Sequence, residues 1–134
     1  SGVLERFPGL KAVAAELNCG WLAYFLNRID GHAATRALRV HGSAFATRLT
    51  MPPREYFNRQ LYATFINDPY GIAHRHEIGV DNIMWSSDFP HSATFWPHSR
   101  EKIEKDFAGV SEEDKRKMVS GNAAKLYGFD EALS

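Results

Sequence analysis

The 134-residue chain has a single cysteine, Cys19, so no disulfide can form within it. That usage fits a reducing compartment, and a cytoplasmic location is expected. An excess of either charge is also missing, because 16 Lys and Arg balance 16 Asp and Glu. Without a basic stripe there is no electrostatic footprint for nucleic acid. No apolar run reaches the ~20 residues that cross a bilayer, and no leader-peptide pattern is read. Low-complexity tracts and short repeats are lacking. So are a Gly-rich phosphate loop and a Ser-centred nucleophile elbow, which sets aside the commonest nucleotide and acyl-transfer signatures. Neither nucleic acid nor a membrane is therefore expected as a partner.

What is present is ordinary for a globular domain: 44% apolar and 24% charged residues. One domain over 1–134 is expected. Leu10 to Leu17 is mostly apolar without clean alternation and reads as a strand covered on both faces. Trp21, Leu22, Phe25, Leu26 and Ile29 recur at helical spacing and read as a buried stripe. Asp30-Gly31 is expected to interrupt that helix before a second stretch towards Val40, with a loop over His41 to Thr50. Pro52-Pro53 starts a helix over Arg54 to Asn58. Leu61 to Ile66 is aromatic and β-branched and predicts a strand. Asp68-Pro69 offers an N-cap with Pro at N1, opening a helix to about Ile78 that stops near Gly79. Asn82 to Trp85 is a third strand, closed by the polar Ser86-Ser87-Asp88. Pro97 opens a helix to Phe107, and Ser111 caps another to about Val119. Asn122 to Tyr127 is a last helix with Gly128 as its stop. Strands alternating with helices predict parallel β/α units, and three such strands leave two open sheet edges.

Several residues invite chemistry. His74, His76 and Glu77 suggest a metal site, but i and i+2 do not share a helix face and a metal pair wants i, i+4. A solvated helix face is the better reading, and His32, His41 and His98 stand alone. Cys19 follows a strand as a nucleophile could, yet no base lies near it in sequence, and free cysteine commonly packs. Trp21, Trp85 and Trp96 read as core and loop anchors.

Four segments carry a resemblance: Phe7-Pro8-Gly9-Leu10-Lys11-Ala12-Val13, Asp81 through His91, Trp96-Pro97-His98-Ser99-Arg100 and Gly121 through Gly128. Together they resemble the amidohydrolase-related, metal-dependent family that includes aminocarboxymuconate-semialdehyde decarboxylase and the resorcylate decarboxylases. The resemblance implies an α/β fold, the C-terminal portion of a (β/α)₈ barrel with about three parallel strands, the sixth to the eighth, and surrounding helices. Chemistry in such barrels lies at the carboxyl ends of strands. By the resemblance, Asp88 is the eighth-strand aspartate, a metal ligand or general base, and the metal is a divalent ion, zinc by expectation. Glu16 is implied as a second carboxylate at the barrel mouth. Characterised decarboxylases carry a histidine there, whereas other relatives have glutamate followed by Gly-Trp, as in Glu16 and Gly20-Trp21. The resemblance also implies a small-molecule substrate, with hydrolysis and decarboxylation both open, and the open sheet edges predict a homo-oligomer. His91 either orients Asp88 or touches substrate, or is a loop histidine bonded to backbone.

The family's early ligands, a His-x-His pair on strand one and a histidine on strand five, have no counterpart in the chain. A catalytic zinc takes about three protein ligands. By itself the chain is thus expected to hold no metal tightly and to turn over nothing. Three readings follow: part of a metal-dependent hydrolase or decarboxylase, a self-associating half-barrel, or a subunit that completes a barrel with a partner chain.

Overall fold

The computed structural model describes residues 2–39 and 49–129, the side chains of 34–39 excepted. It contains a short helix α1 (Val3–Arg6), strand β1 (Ala12–Ala14), helix α2 (Gly20–Arg39), helix α3 (Pro53–Gln60), strand β2 (Leu61–Phe65) and helices α4 (Pro69–Ala73) and α5 (Arg75–Ile78). A 3₁₀ turn over Val80–Asn82 leads into strand β3 (Ile83–Trp85). Helices α6 (Ser99–Asp106), α7 (Glu112–Arg116) and α8 (Asn122–Tyr127) follow, the last two joined by a π turn over Lys117–Gly121.

The three strands form one parallel sheet in the order β1-β2-β3, with Val13 opposite Tyr62 and Thr64 opposite Met84. Parallel neighbours need a helical crossover, which α2 with α3, and α4 with α5, supply. Alternation along the strands turns Ala63, Phe65 and Ile83 to one face, where they pack with Leu22, Leu26, Ile72, Ile78, Phe107 and Met118. Val13, Tyr62, Thr64 and Met84 fall on the other face by the same alternation.

Carboxamides staple the amino ends of the strands. Asn82 Nδ2 donates to the carbonyls of Phe57, Asn58 and Leu61 at 3.3, 3.0 and 2.8 Å. Asn122 Nδ2 donates to Val80 and Ile83 carbonyls at 2.7 and 2.8 Å. Gln60 Nε2 reaches the Phe7 and Leu10 carbonyls at 2.8 and 3.0 Å. Each satisfies backbone acceptors that burial would otherwise leave costly.

Some boundaries differ from expectation. Helix α2 runs through Asp30-Gly31 without a break. The Asp30 carboxylate is occupied by Arg54, Nε at 2.8 Å and backbone N–H at 3.2 Å, so it does not cap a new helix. A single glycine costs only about 1 kcal/mol, too little to end a long helix. The expected helix over 69–78 is two helices separated by His74 (φ −100, ψ 17). The first strand is three residues long, and Glu16 lies two residues past it. The expected loop over His41 to Thr50 lies outside the described residues except for its end. Trp21 and Phe25, two of the five residues of the expected buried stripe, are each 47% exposed. They line an apolar groove of about 540 Å³ along β1 that the described residues leave open.

Candidate active site

Three loops converge at the carboxyl end of the sheet: 15–19 after β1, 66–68 after β2 and 86–98 after β3. Such a face positions side chains on rigid strand ends, which is why it suits chemistry.

Asp88 stands in the third loop. Strand pairing continues one residue past β3, because Ser86 N–H donates to the Phe65 carbonyl at 2.8 Å. The chain then bends sharply. Ser86 Oγ accepts the Asp88 amide at 3.3 Å, Ser87 Oγ accepts the Phe89 amide at 3.4 Å, and Asp88 takes the left-handed conformation (φ 56). The bend turns its side chain inward, to 7% exposure. Among the described residues that carboxylate accepts no hydrogen bond, and the His91 ring stands beside it, with Nδ1 3.7 Å from Oδ2. His91 is tied to Asp88 through backbone as well, its N–H donating to the Asp88 carbonyl at 2.7 Å. A largely shielded carboxylate that accepts no protein hydrogen bond leaves its oxygens free for other partners. A metal ion or a substrate donor would fill that role.

Glu16 stands at the other side of the same face. It too is left-handed (φ 60), and its amide donates to Thr64 Oγ1 at 2.8 Å. Its side chain is exposed. Strand β2 separates Glu16 from Asp88, which sets their strands about 10 Å apart. The structure therefore brings His91 to Asp88 and holds Glu16 on the same face without contact. Among the described residues no group of three or more His, Cys, Asp and Glu could hold a metal ion. Asp88 fits a divalent cation as one ligand, and the rest of the set must come from elsewhere.

The remaining candidates resolve into structural roles. Cys19 is fully buried, and desolvation together with the Asp68 carboxylate pushes its thiol well above the ordinary range, so it is no nucleophile. His74 Nδ1 bonds Glu77 Oε1 at 2.8 Å, while His76 turns to Asp114 at 3.1 Å, so the histidines face different partners. Trp85 packs against the core, whereas exposed Trp96 meets the edge of Phe89 with ring centres 5.7 Å apart.

Sequence reasoning assigned Asp68 one task, capping α4, and its Oδ1 does accept the Gly71 amide at 2.8 Å. It missed the second. Asp68 Oδ2 also accepts the amides of Cys19 and Gly20, at 2.7 and 2.6 Å, across 49 and 48 residues of chain. Two glycines facing an acid, Gly20 and Gly71, were the available signal.

Known proteins share this fold. A γ-resorcylate decarboxylase from Polaromonas sp. strain JS666 is 28% identical over 135 residues, covering 95% of this chain and 37% of the relative. A crystal structure of dihydroxybenzoic acid decarboxylase from the same organism, with bound manganese and the inhibitor 2-nitroresorcinol, superposes with a TM-score of 0.71 at 27% identity, over 97% of this chain and 37% of that one. A 5-carboxyvanillate decarboxylase from Sphingomonas paucimobilis also gives 0.71 at 27% identity, over 96% and 36%. The chain thus spans little more than a third of these relatives, and its sheet and helices correspond to part of their (β/α)₈ barrels. The amidohydrolase family model matches residues 1–129, and with the three parallel strands and the strand-end loops in place, this chain belongs to that amidohydrolase family.

Proposed function

We propose that this chain carries the late-strand part of the active site of a metal-dependent decarboxylase acting on a small hydroxylated aromatic acid. Asp88 is read as one metal ligand, Glu16 as a second carboxylate at the mouth and His91 as the residue that orients Asp88. The observation that carries this reading is the Asp88 carboxylate, largely shielded, bent inward and without a hydrogen bond among the described residues. The similar decarboxylases, one with bound manganese, support the reaction class and a divalent metal.

The chain alone turns over nothing on this reading, since one ligand cannot hold a catalytic metal. When bound, the metal would polarise a substrate oxygen. The chain's own contribution is to hold a largely shielded carboxylate at the strand end. Titration of the ¹⁵N-labelled chain with Mn²⁺ tests the assignment by paramagnetic broadening. The amides of Ser87, Asp88 and His91 should broaden first, and Asp88→Asn should abolish that pattern. Broadening that begins at His74 and Glu77, or that survives Asp88→Asn, would overturn it.

A further inference from the structure

We infer that Asp68 is the positioning residue of this face: its carboxylate latches the loop that carries Glu16 onto the end of the neighbouring strand. The inference rests on the reading of Glu16 as part of the site, but its geometry is independent of any metal.

Asp68 is 8% exposed, and its carboxylate accepts three backbone amides with the Cys19 thiol beside it. One oxygen accepts Gly71, at the start of the helix Asp68 itself caps. The other accepts Cys19 and Gly20, at the start of α2. One carboxylate thus closes the amino ends of two helices that follow two adjacent strands. Helix α2 has no acidic residue in its own first turn, so Asp68 supplies the negative charge that this end favours. The space around the latch is built for it. A Cβ on Gly20 would meet Asp68 Oδ1 at 2.9 Å, and one on Gly71 would meet Oδ2 at 2.8 Å.

The loop between β1 and this latch is four residues of backbone ending in Glu16-Leu17-Asn18, and it is held at three points. Thr64 accepts the Glu16 amide at 2.8 Å. Asn18 Oδ1 accepts the Ile66 amide at 3.3 Å, and its Nδ2 reaches the Asn67 carbonyl at 3.4 Å. Asp68 makes the shortest bonds of the set and anchors the far end. Releasing it frees the loop to relax from its two left-handed residues, Glu16 and Asn18.

Amide hydrogen exchange on the full chain separates this role from simple helix capping. Asn caps helices about as well as Asp, so Asp68→Asn should keep Gly71 protected. It cannot accept from both helices without turning an N–H₂ towards a donor. Exchange at Cys19, Gly20 and Glu16 should therefore rise about tenfold, while the β2 and β3 amides hold their protection. Unchanged exchange at Glu16 in that variant overturns the inference. If Asp68→Asn does not fold, Gly20→Ala opens the latch while keeping the carboxylate. It should accelerate Glu16 in the same way, and an unmoved Glu16 amide there is equally decisive against it. Because no metal enters this measurement, its failure and a failure of the Asp88 assignment are read separately.

Discussion

Glu16 and Asp88 share one backbone trait: each lies just past the carboxyl end of an outer strand in left-handed conformation, at φ 60 and φ 56. A left-handed turn costs an ordinary L-residue roughly 1–2 kcal/mol, and Asp bears it better than Glu. The strain at Glu16 serves no packing purpose, since the side chain is exposed. Glu16→Gly should therefore stabilise the chain by about 1 kcal/mol, the net of relieved strain and greater unfolded-state freedom. Urea unfolding measures this, and a loss of stability of that size would show that the Glu16 side chain is held by contacts of its own.

Much of this face was legible in the sequence, and the reasons are specific. Ser86-Ser87-Asp88 followed an apolar triplet, so the end of β3 and the placement of Asp88 could be read directly. Asp68-Pro69 announced a helix start. What could not be read was reach. The bonds from Asp68 to Cys19 and Gly20 cross almost fifty residues, and no local pattern encodes them. Helix α2 defeated a local rule for the same reason, because the partner of Asp30 is Arg54, 24 residues away. The stripe on α2 predicted burial correctly for Leu22 and Leu26. It failed at Trp21 and Phe25, which line the open apolar groove along β1.

The stapling carboxamides make a second prediction. Asn82 is 4% exposed and serves three carbonyls. Asn82→Ala leaves those acceptors without their donor at the amino end of the sheet. A loss of about 2–3 kcal/mol is expected, from one lost donor group and the desolvated carbonyls it abandons. Denaturant unfolding at constant slope would measure it. A loss below about 0.5 kcal/mol would mean that water replaces the side chain.

Acid stability should depend on Asp114. Arg75 Nε bonds its carboxylate at 2.8 Å and holds the carboxyl below its ordinary range, outweighing desolvation, with His76 and Ser111 adding to the effect. A depressed folded value means that the unfolded chain binds the proton first. The pair's contribution is then complete above the unfolded carboxyl value of about 3.9 and is lost as the pH falls through the lower folded value. Asp114→Asn should be less stable at pH 7 and should lose less stability than the parent between pH 5 and pH 2. Parallel curves for the two proteins would remove Asp114 from the acid transition.

The apolar groove along β1 bears on association. Trp21 and Phe25 stand 47% exposed, their rings 5.6 Å apart, on one wall, and Val3, Leu4 and Tyr56 lie on the other. Beside them β1 has only β2 as a neighbour among the described residues, so its outer edge offers unpaired backbone groups. Exposed apolar surface next to an open strand edge drives self-association unless something covers it. The isolated chain is expected to sediment above the mass of one copy at micromolar concentration. Phe25→Glu places a charge in the groove without touching the core, and it should shift the distribution to single copies. Light scattering reads both. A parent chain already at the mass of one copy at those concentrations argues against association through this face. An unchanged size in Phe25→Glu would instead move the contact to another surface.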